Sequence, residues 1–213
     1  MAFTALFPLI NPIGSALVFV GLVGERPAVD YKQLARKVAV STFGFLLAIE
    51  FVGSYLLSFF GISLPIVQVT GGLIIAATAW MLLFEKDSGA HLRNKHQEIG
   101  GCERDESEDL DGKVFYPLTF PITAGPGTLV IVITLSAHAS RGNLADAAWT
   151  HMGIACAALA LSISVYLCYG YAPQLIKAVS PSMVTGILRV TAFILMCIGV
   201  QIGWNGLAHL NGN

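Results

Sequence analysis

Six apolar stretches, each about twenty residues long, decide most of what this chain can become. They cover residues 3–23, 38–60, 65–84, 115–136, 147–171 and 183–207. Each is long enough to cross a hydrocarbon core of about 30 Å as a helix rising about 1.5 Å per residue. Inside lipid the backbone must satisfy its own hydrogen bonds, so such stretches can only be helices. Charged residues make up 12% of the 213 residues, about half the share of an average soluble protein. That is too little polar surface for water to cover the exterior. The expected fold is therefore all-α, a bundle of six transmembrane helices. The N-terminal residues enter the first apolar stretch at once, without a basic region or a small-residue cleavage site, so they read as a membrane helix and not a removable signal.

Charge placement orients the bundle. Ten lysines and arginines fall in the connections 24–37, 85–114 and 172–182, against Arg141 alone in the other loops. Positive residues stay on the cytoplasmic side. Both termini are then expected in the periplasm of a bacterial cell, with the inner membrane as the site of residence. The segment 85–113 carries Glu98, Glu103, Asp105, Glu106, Glu108, Asp109 and Asp111, and reads as a cytoplasmic linker between two halves, 1–84 and 114–213. His91, His96 and Cys102 lie there without a metal-ligand spacing, so no metal site is expected. Cys156, Cys168 and Cys197 lie in apolar stretches and read as small buried side chains. A net charge of −1 gives no reason for a nucleic-acid partner. The chain has no HExxH and no GxSxG, so neither an enzyme nor a cofactor is expected.

The halves resemble each other. At an offset of 113 residues, Phe7-Pro8-Leu9 falls on Phe120-Pro121-Ile122, and Gly14-Ser15 on Gly127-Thr128. At an offset of 121, Gln68-Val69-Thr70 falls on Arg189-Val190-Thr191. Each half holds three helices, an odd number, so the second must enter the membrane from the opposite side. That is an inverted 3+3 repeat, a construction shared by many secondary transporters.

The matched positions carry Asn11, Pro12 and Gly14 in helix one, and Gly125, Pro126 and Gly127 in helix four. Proline lacks an N–H and clashes with the preceding turn, so both helices should break, near mid-membrane, toward the bundle interior. The downstream half-helices, starting near Ile13 and Gly127, would turn free N–H groups and positive dipole ends toward a shared pocket. Ser15 and Thr128 add hydroxyls; Asn11 adds an amide oxygen; freed carbonyls add acceptors. Thr123, Thr70 and Thr191 are further candidates. Such a set suits the carboxylate and ammonium of a zwitterion. Glu50, in helix two, reads as either a proton-coupling group or a protonated hydrogen-bonding residue. Arg189 can snorkel to the interface, and His151, Trp80, Trp149, Trp204 and Tyr171 read as interfacial.

The motifs Phe7-Pro8-Leu9-Ile10-Asn11-Pro12-Ile13-Gly14, Phe60-Gly61-Ile62-Ser63, Gly71-Gly72-Leu73 and Pro117 through Thr128 together resemble the MarC family of bacterial membrane proteins, which includes small neutral amino-acid transporters. The resemblance covers nearly the whole chain. It implies a six-helix inverted repeat, a substrate of the glycine and alanine class, and binding at Asn11, Pro12, Gly14, Gly125, Pro126 and Gly127. Gln68 stands where the family tends to carry arginine, and Glu50 lies outside its pattern. The expected function is secondary transport of small neutral amino acids by alternating access, coupled to protons or sodium. The alternatives are a non-transporting scaffold that recruits partners through the acidic segment, or a channel for another small solute.

Overall fold

A computed structural model describes residues 2–24, 27–84, 112–139, 144–178 and 180–211. The acidic residues of the linker, with His91, His96 and Cys102, lie outside the described residues, as do Arg26 and Arg141.

The described elements are helical throughout: α1 (Ala2–Ile10), α2 (Pro12–Val23), α3 (Ala28–Phe59), α4 (Leu64–Phe84), an irregular wide-wound segment α5 (Val114–Thr123), α6 (Pro126–Ala139), α7 (Leu144–Gly170), a short α8 (Ala172–Ala178) and α9 (Pro181–Leu210). Five helical stretches are long and apolar enough to cross a membrane, with α1 and α2 counted as one; the bent pair α5 and α6 brings the number to six.

Boundaries shift from expectation at α3. It begins at Ala28, ten residues before the apolar stretch, so Lys32, Arg36 and Lys37 sit on its first turns and not in a loop. Amphipathic side chains with long stems are tolerated there because their charged ends reach the interface. The Tyr31 hydroxyl donates to the carbonyl of Gly24, and Lys32 Nζ lies 5.0 Å over the Tyr171 ring. Both contacts tie the start of α3 to its surroundings.

Large apolar side chains cover the outside: Phe59 is 82% exposed, Trp149 70% and Trp204 67%. In water such a surface would aggregate; in lipid it is the solvated face. The core is built from Leu6, Ile10, Phe19, Val38, Leu46, Leu118, Leu161, Val165 and Tyr169, contributed by α1, α2, α3, α5 and α7. Cys156 and Cys197 are exposed and Cys168 half-buried, which corrects the expectation that all three are buried. Cys156 and Cys197 face outward because helix rotation, not side-chain polarity, decides which small apolar residues meet lipid, whereas Cys168 packs partly against the core.

Lipid tails are as apolar as leucine, so helices associate through close backbone approach. The pair α4 and α9 does this with glycine. A Cβ on Gly72 would stand 2.5 Å from Gly199 O and 2.5 Å from the Gly203 nitrogen; one on Gly199 would stand 2.7 Å from the Ala76 nitrogen; one on Gly206 would stand 2.7 Å from Pro65 O. Residues early in α4 thus face residues late in α9, and the pair is antiparallel. The same holds for α3 and α7, where Glu50 meets His151 and a Cβ on Gly170 would touch Lys32 and Ala35.

Candidate functional site

The first membrane segment is divided at one residue. Asn11 sits between α1 and α2 with φ 42° and ψ 65°, a left-handed conformation that asparagine tolerates better than most residues. Its N–H still bonds Phe7 O at 2.9 Å, and its own carbonyl accepts from the Ser15 N–H at 2.9 Å. Its side-chain oxygen accepts from the Gly14 N–H at 3.3 Å, capping α2. Pro12 occupies the first helical position, where its missing N–H costs nothing. Asn11 Oδ1, expected to face a ligand, thus accepts from its own helix with one lone pair and keeps a second. The Ser15 hydroxyl donates to Asn11 O at 2.9 Å, with Ile10 O at 3.2 Å, and its oxygen can still accept.

The fourth segment is divided more widely. Tyr116 and Phe120 adopt extended conformations, φ −119° and ψ 123° in one, φ −123° and ψ 126° in the other. Each precedes a proline, whose ring excludes the helical region for its neighbour. The remaining bonds span five residues: Leu118 N–H to Lys113 O at 3.3 Å and Ala124 N–H to Thr119 O at 2.8 Å. Hydroxyls fill other carbonyls, Thr119 on Val114 O at 2.8 Å and Thr123 on Leu118 O at 2.7 Å. After Ala124 and Gly125 the chain turns by 74° and α6 begins at Pro126, with Thr128 N–H bonding Gly125 O at 3.0 Å.

One cavity of about 390 Å³ lies against both interruptions. Asn11, Gly14 and Ser15 line it from the first; Gly125, Pro126, Gly127 and Thr128 line it from the second. Pro12 and Thr123 do not line it, although both are buried. Of the other threonines, Thr191 lines the cavity, whereas Thr70 is exposed and bonds Ile66 O on its own helix at 2.9 Å. Ile74, Ile75, Thr78, Leu188 and Leu195 are among the α4 and α9 residues that wall it. Sequence reasoning missed these five. The one signal present was the repeat, since Ile74 falls on Leu195 at the offset of 121.

Every lining residue is uncharged. The polar end is the start of α6. Thr128 is 1% exposed, and its Oγ1 has no hydrogen-bond partner. Gly127 stands beside it in the first turn, where the helix supplies no acceptor for its N–H. Gly127 must be small, because a Cβ would lie 2.7 Å from Ile75 Cγ1 and 3.0 Å from Leu9 Cδ2. The arrangement therefore offers a buried hydroxyl and a helix N-terminus at one end, and aliphatic walls elsewhere. It suits a neutral or zwitterionic solute and gives no means of neutralising a net charge.

Glu50 lies apart from this cavity. It is 1% exposed, and its Oε1 is 3.1 Å from His151 Nδ1. Its other oxygen has no partner, and Ser136 Oγ donates to its backbone carbonyl at 2.7 Å. His151, placed at the interface by the sequence, has a side chain 27% exposed and turns inward to the carboxyl. Arg189 is exposed on α9. Among the described residues, no group of three or more His, Cys, Asp or Glu could hold a metal ion.

Comparison with known proteins follows the same outline. Residues 1–210 match the family model described as MarC family integral membrane protein. The inner membrane protein MarC of Citrobacter koseri is 28% identical over 216 residues, 99% of this chain and 94% of that protein. The proteins of the same name from Salmonella typhimurium and Escherichia coli UTI89 are 28% and 27% identical over the same shares of each chain. No solved structure matches. From Met1 to Leu210, this chain belongs to the MarC family of integral membrane proteins.

Proposed function

We propose that the protein is a secondary transporter that moves small neutral amino acids, of the glycine and alanine class, across the inner membrane by alternating access. The observation that carries this reading is a single uncharged cavity lined by residues of both interruptions. The carboxylate of the solute takes the Gly127 N–H and the Thr128 hydroxyl, and carbonyls freed at the breaks take its ammonium.

The inverted repeat belongs to this proposal. It is supported by contact between the members of each matched pair of segments: Leu9 with Gly127, Glu50 with His151, and Gly72 with Gly199. A two-fold axis in the membrane plane would bring the halves together in this way, with 1–84 as one and 114–213 as the other, and with both termini in the periplasm. Rocking of one half on the other would expose the cavity to each side in turn. Glu50 is assigned the coupling role, with a proton as its ion, because a carboxyl with one unpartnered oxygen in a membrane segment invites one.

The test is counterflow of labelled glycine and alanine in proteoliposomes holding the purified protein. Saturable, stereoselective exchange that is lost in Gly127→Leu and in Asn11→Ala is the expected result. Unsaturable flux would replace the carrier with a channel. No flux of either solute, from a protein shown to be folded, would end the amino-acid reading.

A further inference from the structure

Glu50 stands between a partly open imidazole and the helix that carries the polar end of the cavity. On one side, His151 of α7 meets its Oε1 through Nδ1 at 3.1 Å. The carboxyl is fully covered there, while the imidazole side chain is 27% exposed. The Phe51 ring stacks on the imidazole, centroids 5.8 Å apart and planes at 24°, and restrains its plane. On the other side, the Ser136 hydroxyl of α6 donates to the Glu50 carbonyl at 2.7 Å. One turn on, a Cβ at Gly53 would lie 2.6 Å from Ile133 Cγ1, so α3 is seated directly on α6. Thr128 is eight residues before Ser136 on that helix, about 12 Å along its axis.

Among the described residues, His151 is the one titratable side chain that bonds Glu50. Asp146, five residues before it on α7, and Tyr55, five beyond Glu50 on α3, are both exposed. From α6 the group that meets Glu50 is the Ser136 hydroxyl. The second carboxyl oxygen, Oε2, has no partner. A buried ion pair that served only stability would have both carboxylate oxygens bonded, because burying a charge is costly unless its lone pairs are filled. A carboxyl that takes up and releases a proton keeps an oxygen spare. Imidazole is suited to supply that proton, since it can accept one at one nitrogen and give one from the other. With Nδ1 on the carboxyl, Nε2 is the nitrogen left for water.

We infer that His151 is a proton-transfer residue that carries protons between water and Glu50. A proton from water binds Nε2, and Nδ1 passes its own to Oε1. One N–H bond forms at Nε2, one breaks at Nδ1, and an O–H bond forms on the carboxyl. The imidazole ends neutral with its proton on Nε2. Loss of that proton to water and uptake of another at Nδ1 reset it. The route ends on the coupling group of the transport reading and so rests on that assignment; the transfer itself rests on the contact between the two side chains.

Difference infrared spectroscopy of the purified protein in lipid vesicles tests it. The carbonyl band of protonated Glu50 is identified by its loss in Glu50→Gln, and its deuteration is timed after transfer to heavy water. His151→Asn keeps a donor near the place of Nδ1 but has no second nitrogen to take up a proton. It should slow that deuteration about tenfold or more, and imidazole added to the buffer should restore much of the rate. Accumulation of labelled glycine driven by a pH gradient should fall and recover in parallel. His151→Gln serves as the second variant should His151→Asn fail to fold. Deuteration at the parental rate in a folded variant, or slowing that imidazole does not reverse, would overturn the inference. So would the lack, at every pH the folded protein withstands, of a protonated carboxyl band that Glu50→Gln removes. Slowed and rescued deuteration without any glycine transport would retain the proton route and remove the transport reading, so the two can fail separately.

Discussion

His151 Nδ1 lies 3.1 Å from Glu50 Oε1, joining α7 to α3 across 101 residues of sequence. Glu50 is fully covered at its side chain while His151 is partly open, so the pair forms a step between the surface and the interior. Replacing one partner strands the other in a place where water does not reach. His151→Ala is expected to lower the unfolding temperature in detergent by several degrees. An unchanged midpoint would mean the contact carries no stability.

Glu50→Gln keeps the shape and the acceptor oxygen and removes the exchangeable proton. Exchange of labelled glycine should persist at a rate within about threefold of the parent, the cavity being untouched. Accumulation driven by a proton gradient should fall to the passive level. Accumulation equal to that of the parent protein would remove Glu50 from coupling.

Thr128 separates binding from stability. Its hydroxyl is buried and unpartnered, so it contributes nothing to the empty protein. Thr128→Val should leave thermal stability unchanged or slightly raised. Half-saturation for glycine should rise about tenfold to a hundredfold, the worth of one hydrogen bond to a charged carboxylate of about 1.5–3 kcal/mol. Unaltered half-saturation in this variant would take Thr128 out of the binding site.

Asn11 makes a backbone prediction. Asn11→Ala loses the bond to the Gly14 N–H and places an alanine in a left-handed conformation. The cap alone is worth about 0.5–2 kcal/mol. Asn11→Gly restores the conformational freedom but not the cap, and should recover part of the loss. Equal melting temperatures for the two variants would show that the left-handed backbone costs alanine nothing here.

The α4 and α9 seam should tolerate no side chain at Gly72. Gly72→Val would drive methyl groups into the backbone of Gly199 and Gly203. Overpacking of this kind costs about 1–3 kcal/mol where neighbours can yield, and backbone yields less than side chains. A monodisperse protein with a parental melting temperature would show that the helices can part there freely.

Five membrane-crossing segments, or six with α5 and α6 taken as one span, were legible in the residues themselves, as were the local departures from regular helix at Asn11 and at Ala124-Gly125. Length, apolar content and the local sterics of proline and glycine act on the backbone where they stand, whatever the rest of the chain does. Asn11 as a cap for Gly14, and the extended residues before Pro117 and Pro121, belong to the same local chemistry. The start of α3 was misplaced because apolar content marks the lipid-buried part of a helix and not its full length. Three other matters were decided by tertiary structure: that Ile74, Thr78 and Leu188 wall the cavity, that His151 turns to Glu50, and that the Tyr169 hydroxyl meets Thr123. Each depends on how helices are rotated and in what register they meet. In a chain apolar on nearly every face, no stripe of polar residues announces that rotation; close backbone contact at Gly72, Gly199 and Gly203 helps to set it.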